Sequence, residues 1–223
     1  MRTPHTRKWL ACLLVLAVLA MASMAGAHPT SYEVTITNET AAQVFTPLLV
    51  VSHESTIQVF QTGQPADEPL ERLAESGDTM PLMAALTASP MVMDVQDVGA
   101  VLPPGESVTV TVMADATFNR ISVVAMLVPT NDAFVAVNAV DISSGSVSVR
   151  ALAYDAGTEA NDELCASIPG PPNVCGGKGF NMSRDDAEGF VHVHRGIHGI
   201  GDLTAAVYDW RNPVARVSIR PVP

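Results

Sequence analysis

Alternation of apolar and polar residues with period two recurs along this chain and is broken each time by Gly, Pro, Asn or Asp, which restricts it to a fold built from strands. Successive side chains of a strand point to opposite faces, so this pattern buries one face and wets the other. Tyr32-Glu33-Val34-Thr35-Ile36-Thr37-Asn38 has this form, and so does Val108-Thr109-Val110-Thr111-Val112 after the turn Pro103-Pro104-Gly105. Val44 to Val51 is more continuously apolar, Thr56 to Gln61 is short, Ile121 to Val128 reads as buried, and Phe134 to Val140 and Val147 to Leu152 follow. Seven or so strands separated by turns predict an all-β, antiparallel β-sandwich. Between Pro69 and Leu86 the period changes: Leu70, Leu73 and Ala74, then Leu82, Met83 and Leu86, recur at three and four residues around Gly77-Asp78-Thr79. This predicts one or two short helices inserted in a loop, the second capped by Asp78 or Thr79.

The first residues carry Arg2, Arg7 and Lys8, then an apolar run from Trp9 to Met24, then Ala25-Gly26-Ala27. A basic start, a short hydrophobic stretch and a small-x-small site read as a secretory signal peptide over residues 1–27. The mature domain is then expected to span 28–223, with no membrane insertion after signal removal and a secreted or periplasmic location. Removing those three basic residues takes the formal charge from −11 to −14. Such a surface repels phosphate backbones, so nucleic acid is excluded as a partner, whereas it attracts divalent cations wherever carboxylates converge. Cys165 and Cys175 close a short proline-rich loop, which in an exported chain reads as a disulfide contributing about 2–3 kcal/mol.

A hard cation such as calcium needs several oxygen ligands on loops able to wrap it. Asp132 follows the buried run ending at Val128, Asp155 follows the strand ending near Ala153, and Glu159 lies four residues further on, with Gly157 free to turn the chain between them. By spacing alone these carboxylates read equally as solvated turn formers.

Ser52-His53, Leu73-Ala74-Glu75-Ser76-Gly77-Asp78-Thr79, Met126-Leu127-Val128-Pro129 with Asp132, and above all Tyr154-Asp155-Ala156-Gly157-Thr158-Glu159 resemble the spondin domain of F-spondin and mindin. The matched order runs from Tyr32 to Asp162. The resemblance implies a C2-like β-sandwich core over 32–162 and one calcium ion held by Asp132, Asp155 and Glu159 in loops at one end. It further implies a non-catalytic module for extracellular recognition or adhesion, its partner an unidentified extracellular protein or glycan. Glu159 departs from the family, which usually has aspartate there. The extension 163–223, with the disulfide loop and a histidine-rich strand, has no counterpart in the animal proteins.

In Phe190-Val191-His192-Val193-His194-Arg195-Gly196-Ile197-His198, alternation puts His192 and His194 on one face. They form a candidate ligand pair for copper or zinc, with His198 or the mature N-terminal His28 as a third, and on that alternative reading the chain is a metal carrier or an oxidase. The alternative is a half-buried face whose rings hydrogen-bond to backbone, since no cysteine or carboxylate stands at ligand spacing nearby. A Gly-x-Ser-x-Gly elbow, a phosphate loop and a His-Glu-x-x-His motif are all absent from the sequence, so no catalytic activity is expected.

Overall fold

The computed structural model describes residues 29–222; the expected signal peptide over 1–27 and His28 lie outside them. Ten strands form in chain order: β1 (Thr30–Asn38), β2 (Val44–Phe45), β3 (Leu49–His53), β4 (Val92–Asp97), β5 (Ser107–Ala114), β6 (Arg120–Val128), β7 (Ala133–Asp141), β8 (Val147–Asp155), β9 (His192–Val193) and β10 (Ala215–Pro221). Among the described residues three helices join them: α1 (Glu68–Ser76), α2 (Met80–Thr87) and the single turn α3 (Ala205–Tyr208). The strands pair in the order β4-β3-β6-β7-β8-β10-β1-β5, with β2 added to β6 and β9 to β8. Every pairing is antiparallel. The sheet curls until its two ends meet: the Met113 N–H on β5 donates to Asp94 Oδ2 on β4 (2.8 Å), and Ser52 Oγ donates to the Met113 carbonyl (2.6 Å). The result is the expected all-β, sandwich-like body, nearly closed.

Two apolar layers explain why some strands alternate and others do not. Val34 and Ile36 of β1 and Val217 and Ile219 of β10 face the interior with Val123, Leu127 and others, leaving Thr35 and Ser218 outward. β3, β6 and β7 are buried on both faces, and so read as continuous apolar runs. Their second face, Leu49, Val51, Val124, Phe134 and Ala136, lies beneath Leu70 and Leu73 of α1 and Leu82 of α2. Leu70 and Leu73 are almost wholly removed from water, stabilising the helix–sheet contact by roughly 2 kcal/mol each.

α1 begins where Asp67 Oδ1 accepts the Leu70 N–H (3.0 Å), and it stops at Gly77, whose φ of 69° permits its N–H to bond the Leu73 carbonyl. Ahead of α2, Asp78 Oδ1 accepts the Met80 N–H (3.1 Å), while the Thr79 hydroxyl turns away to Asp97 Oδ2 (2.5 Å).

One expected strand is absent and one strand was not expected. Thr56 to Gln61 is turn and bend rather than strand, because Phe60 leaves the sheet to pack edge-on against Phe134 (5.0 Å) and Tyr154 (4.8 Å). Val92–Asp97, which sequence reasoning passed over, is the edge strand β4. The alternation of Val214 to Ile219 reads as a strand that either completes the sandwich or covers its edge, and the structure shows the first: β10 lies between β8 and β1, so residues beyond the resemblance complete the sheet from within. The Cys165–Cys175 disulfide forms as expected. Among the described residues, no helix is long and apolar enough to cross a membrane.

Candidate metal centre

One end of the sheet gathers the loops after β6 and β8 and the segment leading into β9. Asp132 immediately precedes β7, whose first residue, Ala133, pairs with Asp155 at the end of β8. The Ala156 N–H donates to the Asp132 carbonyl (3.2 Å), which ties the two loops together at their roots. Asp132 and Asp155 therefore emerge at the same end, although they are distant in the chain. Asp155 is also paired from its other side, in register with His192 of β9.

Gly157 fixes this arrangement. Its φ is 67°, and a Cβ there would lie 2.4 Å from the Phe190 carbonyl oxygen, so a side chain is excluded by backbone conformation and by space. Its carbonyl accepts the Gly189 N–H (2.9 Å). This contact lays residues 188–192, from outside the spondin-like segment, against the Asp155 loop.

The three carboxylates expected from sequence are all buried. Asp132 Oδ2 accepts the N–H groups of Thr158 (2.7 Å) and Glu159 (3.1 Å) and the Thr158 hydroxyl (3.2 Å), while Oδ1 is buried without a partner. Asp155 Oδ1 accepts the Gly157 N–H (2.8 Å), and Oδ2 accepts Asn161 Nδ2 (2.7 Å). Glu159 Oε2 has no partner either. A fourth carboxylate stands beside them, one that the sequence offers only within the Leu73–Thr79 motif and not as a ligand: Glu75 of α1 is fully buried, its Oε2 accepts the Asn181 N–H (2.8 Å), and its Oε1 is unpartnered among the described residues. One turn earlier, the buried Glu71 is neutralised by Arg184. Among the described residues, Glu75 has no such cation.

Burial without counter-charge sets the protonation of this group. Burial pushes the Glu159 carboxyl up to about 8, with the charges of Glu75 and Asp132 adding to it. Burial raises Glu75 to about 7, eased by the Asn181 N–H. Asp132 rises through burial and then the Asp155 charge, and Asp155 rises chiefly through burial.

A different trio comes closest together. Ligand atoms of Asp155, Glu188 and His192 all lie within 4.8 Å of one another, a grouping that includes neither Asp132 nor Glu159. His192 and His194 both turn toward Asp155, with Nε2 to carboxylate distances of 3.9 and 3.8 Å. Their shared face was legible in the sequence. Each ring also has the backbone bond of the alternative reading, His192 Nδ1 to the Val193 carbonyl (3.3 Å) and His194 Nδ1 from the Gly196 N–H (2.9 Å). The expectation that no carboxylate stands near them is overturned. β-pairing supplies Asp155, and Glu188, four residues before His192, was a sequence signal that went unused. His198 is exposed, and its backbone N–H donates to the buried Glu163 (2.5 Å), which also accepts from Gly199 and Ile200.

No curated protein matches the chain. The family model described as Spondin_N matches residues 19–166, about two-thirds of the sequence and the part that contributes Glu75, Asp132, Asp155 and Glu159. By that match the chain belongs to the spondin N-terminal domain family.

Proposed function

We propose that this chain is an exported, non-catalytic spondin-type module that binds calcium through Asp132, Asp155 and Glu159, with Glu75 of α1 as an additional oxygen donor. Ion binding orders the loop end of the sheet as a surface for recognising an extracellular protein or glycan. One observation carries the reading: Asp132 Oδ1, Glu159 Oε2 and Glu75 Oε1 are buried acceptors with no hydrogen-bond partner among the described residues. Acceptor-only oxygens excluded from water are costly unless a proton or a cation satisfies them. An all-oxygen donor set of high negative charge favours a hard cation of flexible coordination, which is calcium. The ion would neutralise carboxylates that otherwise repel, and because α1, both loops and the Asn181 segment all touch this group, it would stiffen them together.

Calorimetric titration of the metal-free protein with calcium tests the reading. One calcium per chain is expected, with affinity reduced at least about tenfold in Asp132→Asn and in Glu159→Gln. Absence of calcium binding by the folded wild-type protein at pH 8 would refute it.

A further inference from the structure

We propose that Asp155, Glu188 and His192 form a second metal site, selective for a divalent transition metal of the zinc class and completed by chain lying beyond the family segment. It goes beyond the calcium reading and shares only Asp155 with it.

Three features support it. Asp155 and His192 are cross-strand partners in the β8–β9 ladder, so their side chains leave the same face and are held at a fixed separation. Glu188 joins them because Gly157 admits the 188–192 backbone, and the ligand atoms of all three lie within 4.8 Å of one another. Zinc bonds of about 2.0–2.2 Å to nitrogen and oxygen require only a small further closure, which the exposed Glu188 is free to make.

The second feature is the tautomer of each histidine. A carbonyl can only accept, so the bond between His192 Nδ1 and the Val193 carbonyl (3.3 Å) puts the proton on Nδ1. The lone pair of His192 is then on Nε2, the atom 3.9 Å from Asp155 Oδ1. A backbone carbonyl behind a ligating imidazole is the usual means of fixing the metal-binding nitrogen. His194 is the reverse. Its Nδ1 accepts the Gly196 N–H (2.9 Å), so its proton is on Nε2, directed at Asn161 Oδ1 (3.2 Å) and Asp155 Oδ2 (3.8 Å). Two histidines that look equivalent in sequence thus have different roles: His192 presents a lone pair and His194 a proton. His194 is a positioning residue beneath Asp155 and not a ligand.

The third feature is charge. Asn161 Nδ2 donates to both Asp155 Oδ2 (2.7 Å) and Glu188 Oε1 (3.1 Å), so one neutral amide spans two carboxylates. Among the described residues, no lysine or arginine pairs with either of them. A divalent cation would neutralise both. Imidazole nitrogen is a poor donor to calcium and a good one to zinc, which assigns the metal class and separates this site from the all-oxygen group.

The test is equilibrium dialysis of the metal-free full chain against zinc in calcium-saturated buffer at pH 7.5, with elemental analysis and a competing chelator to obtain affinity. One zinc per chain is expected, weakened at least about tenfold in both Glu188→Gln and His192→Ala. His198→Ala should leave it unchanged. The calcium-induced rise in melting temperature should persist in all three variants, which verifies folding and keeps this outcome independent of the calcium reading. Cobalt substitution should give visible absorption that disappears in His192→Ala. The proposal is overturned if the wild-type protein holds no zinc, or if its zinc survives both Glu188→Gln and His192→Ala or is lost in His198→Ala.

Discussion

In the presence of a chelator, raising the pH from 6.5 to 9 is expected to destabilise the protein, and a lower bound on the effect follows from two carboxyl groups, to which the raised Asp132 and Asp155 add in the same direction. Glu159 is raised from its ordinary 4.5 to about 8, and Glu75 from 4.5 to about 7. A carboxyl whose pKa is higher folded than unfolded favours the fold below its unfolded value, and that contribution is lost as pH climbs through the folded value. The histidines oppose this slightly: His53 and His194 are lowered by burial, so as pH rises above 6.5 their unfolded imidazoles lose the last half of their protonation and the fold gains up to about 0.4 kcal/mol from each, the rest of their contribution being lost only as pH falls. Stability then drops by about 1.36 kcal/mol per pH unit for each carboxyl still protonated only in the fold, giving roughly 2 kcal/mol from Glu159 and under about 1 from Glu75. Net of the histidine gain about 2 kcal/mol is lost, which for a domain of this size is a fall in melting temperature of about 4–8 °C. Calcium at millimolar concentration should reverse it, increasingly so toward pH 9, because fewer protons then compete for the same oxygens. Differential scanning fluorimetry across this range, with and without chelator, measures it. A chelated melting temperature that stays level or rises between pH 6.5 and 9, or a slope unchanged in Glu159→Gln, would refute the reasoning.

Gly157→Ala should cost at least about 2 kcal/mol, since a left-handed backbone and a Cβ 2.4 Å from the Phe190 carbonyl both oppose it; chemical denaturation reads the loss, and zinc affinity should fall with it. His194 is pushed down to about 3 by burial, followed by the charges of His192, His198 and Arg195, so its contribution should fade as pH drops below 6.5; the wild-type denaturation midpoint in calcium should decline from pH 6.5 to 5, and less steeply in His194→Gln. Reduction of Cys165–Cys175, or the double substitution to serine, should lower stability by about 2–3 kcal/mol, visible as a lower urea midpoint with the sheet's circular dichroism retained.

The period-two pattern was enough to specify an antiparallel sheet, because residues such as Val34, Ile36, Val217 and Ile219 each need only one buried face, and that requirement is local. The helix pair was equally legible from the spacing of Leu70, Leu73, Leu82 and Leu86 and from Gly77. So were the disulfide, from two cysteines in a short loop, and the family, from Tyr154 to Glu159. Sequence placed Asp132, Asp155 and Glu159 on loops, but which oxygens are left without partners depends on how those loops fold onto one another. Glu75 resembled any acidic residue on an amphipathic helix until α1 packed with that side chain facing inward. The Asp155–His192 pairing needs strands from distant parts of the chain to meet, and the approach of Glu188 needs the clearance that Gly157 provides. Spacing and alternation report only the faces of single elements, whereas a metal centre depends on where several faces converge, and that convergence is a property of the packed sheet.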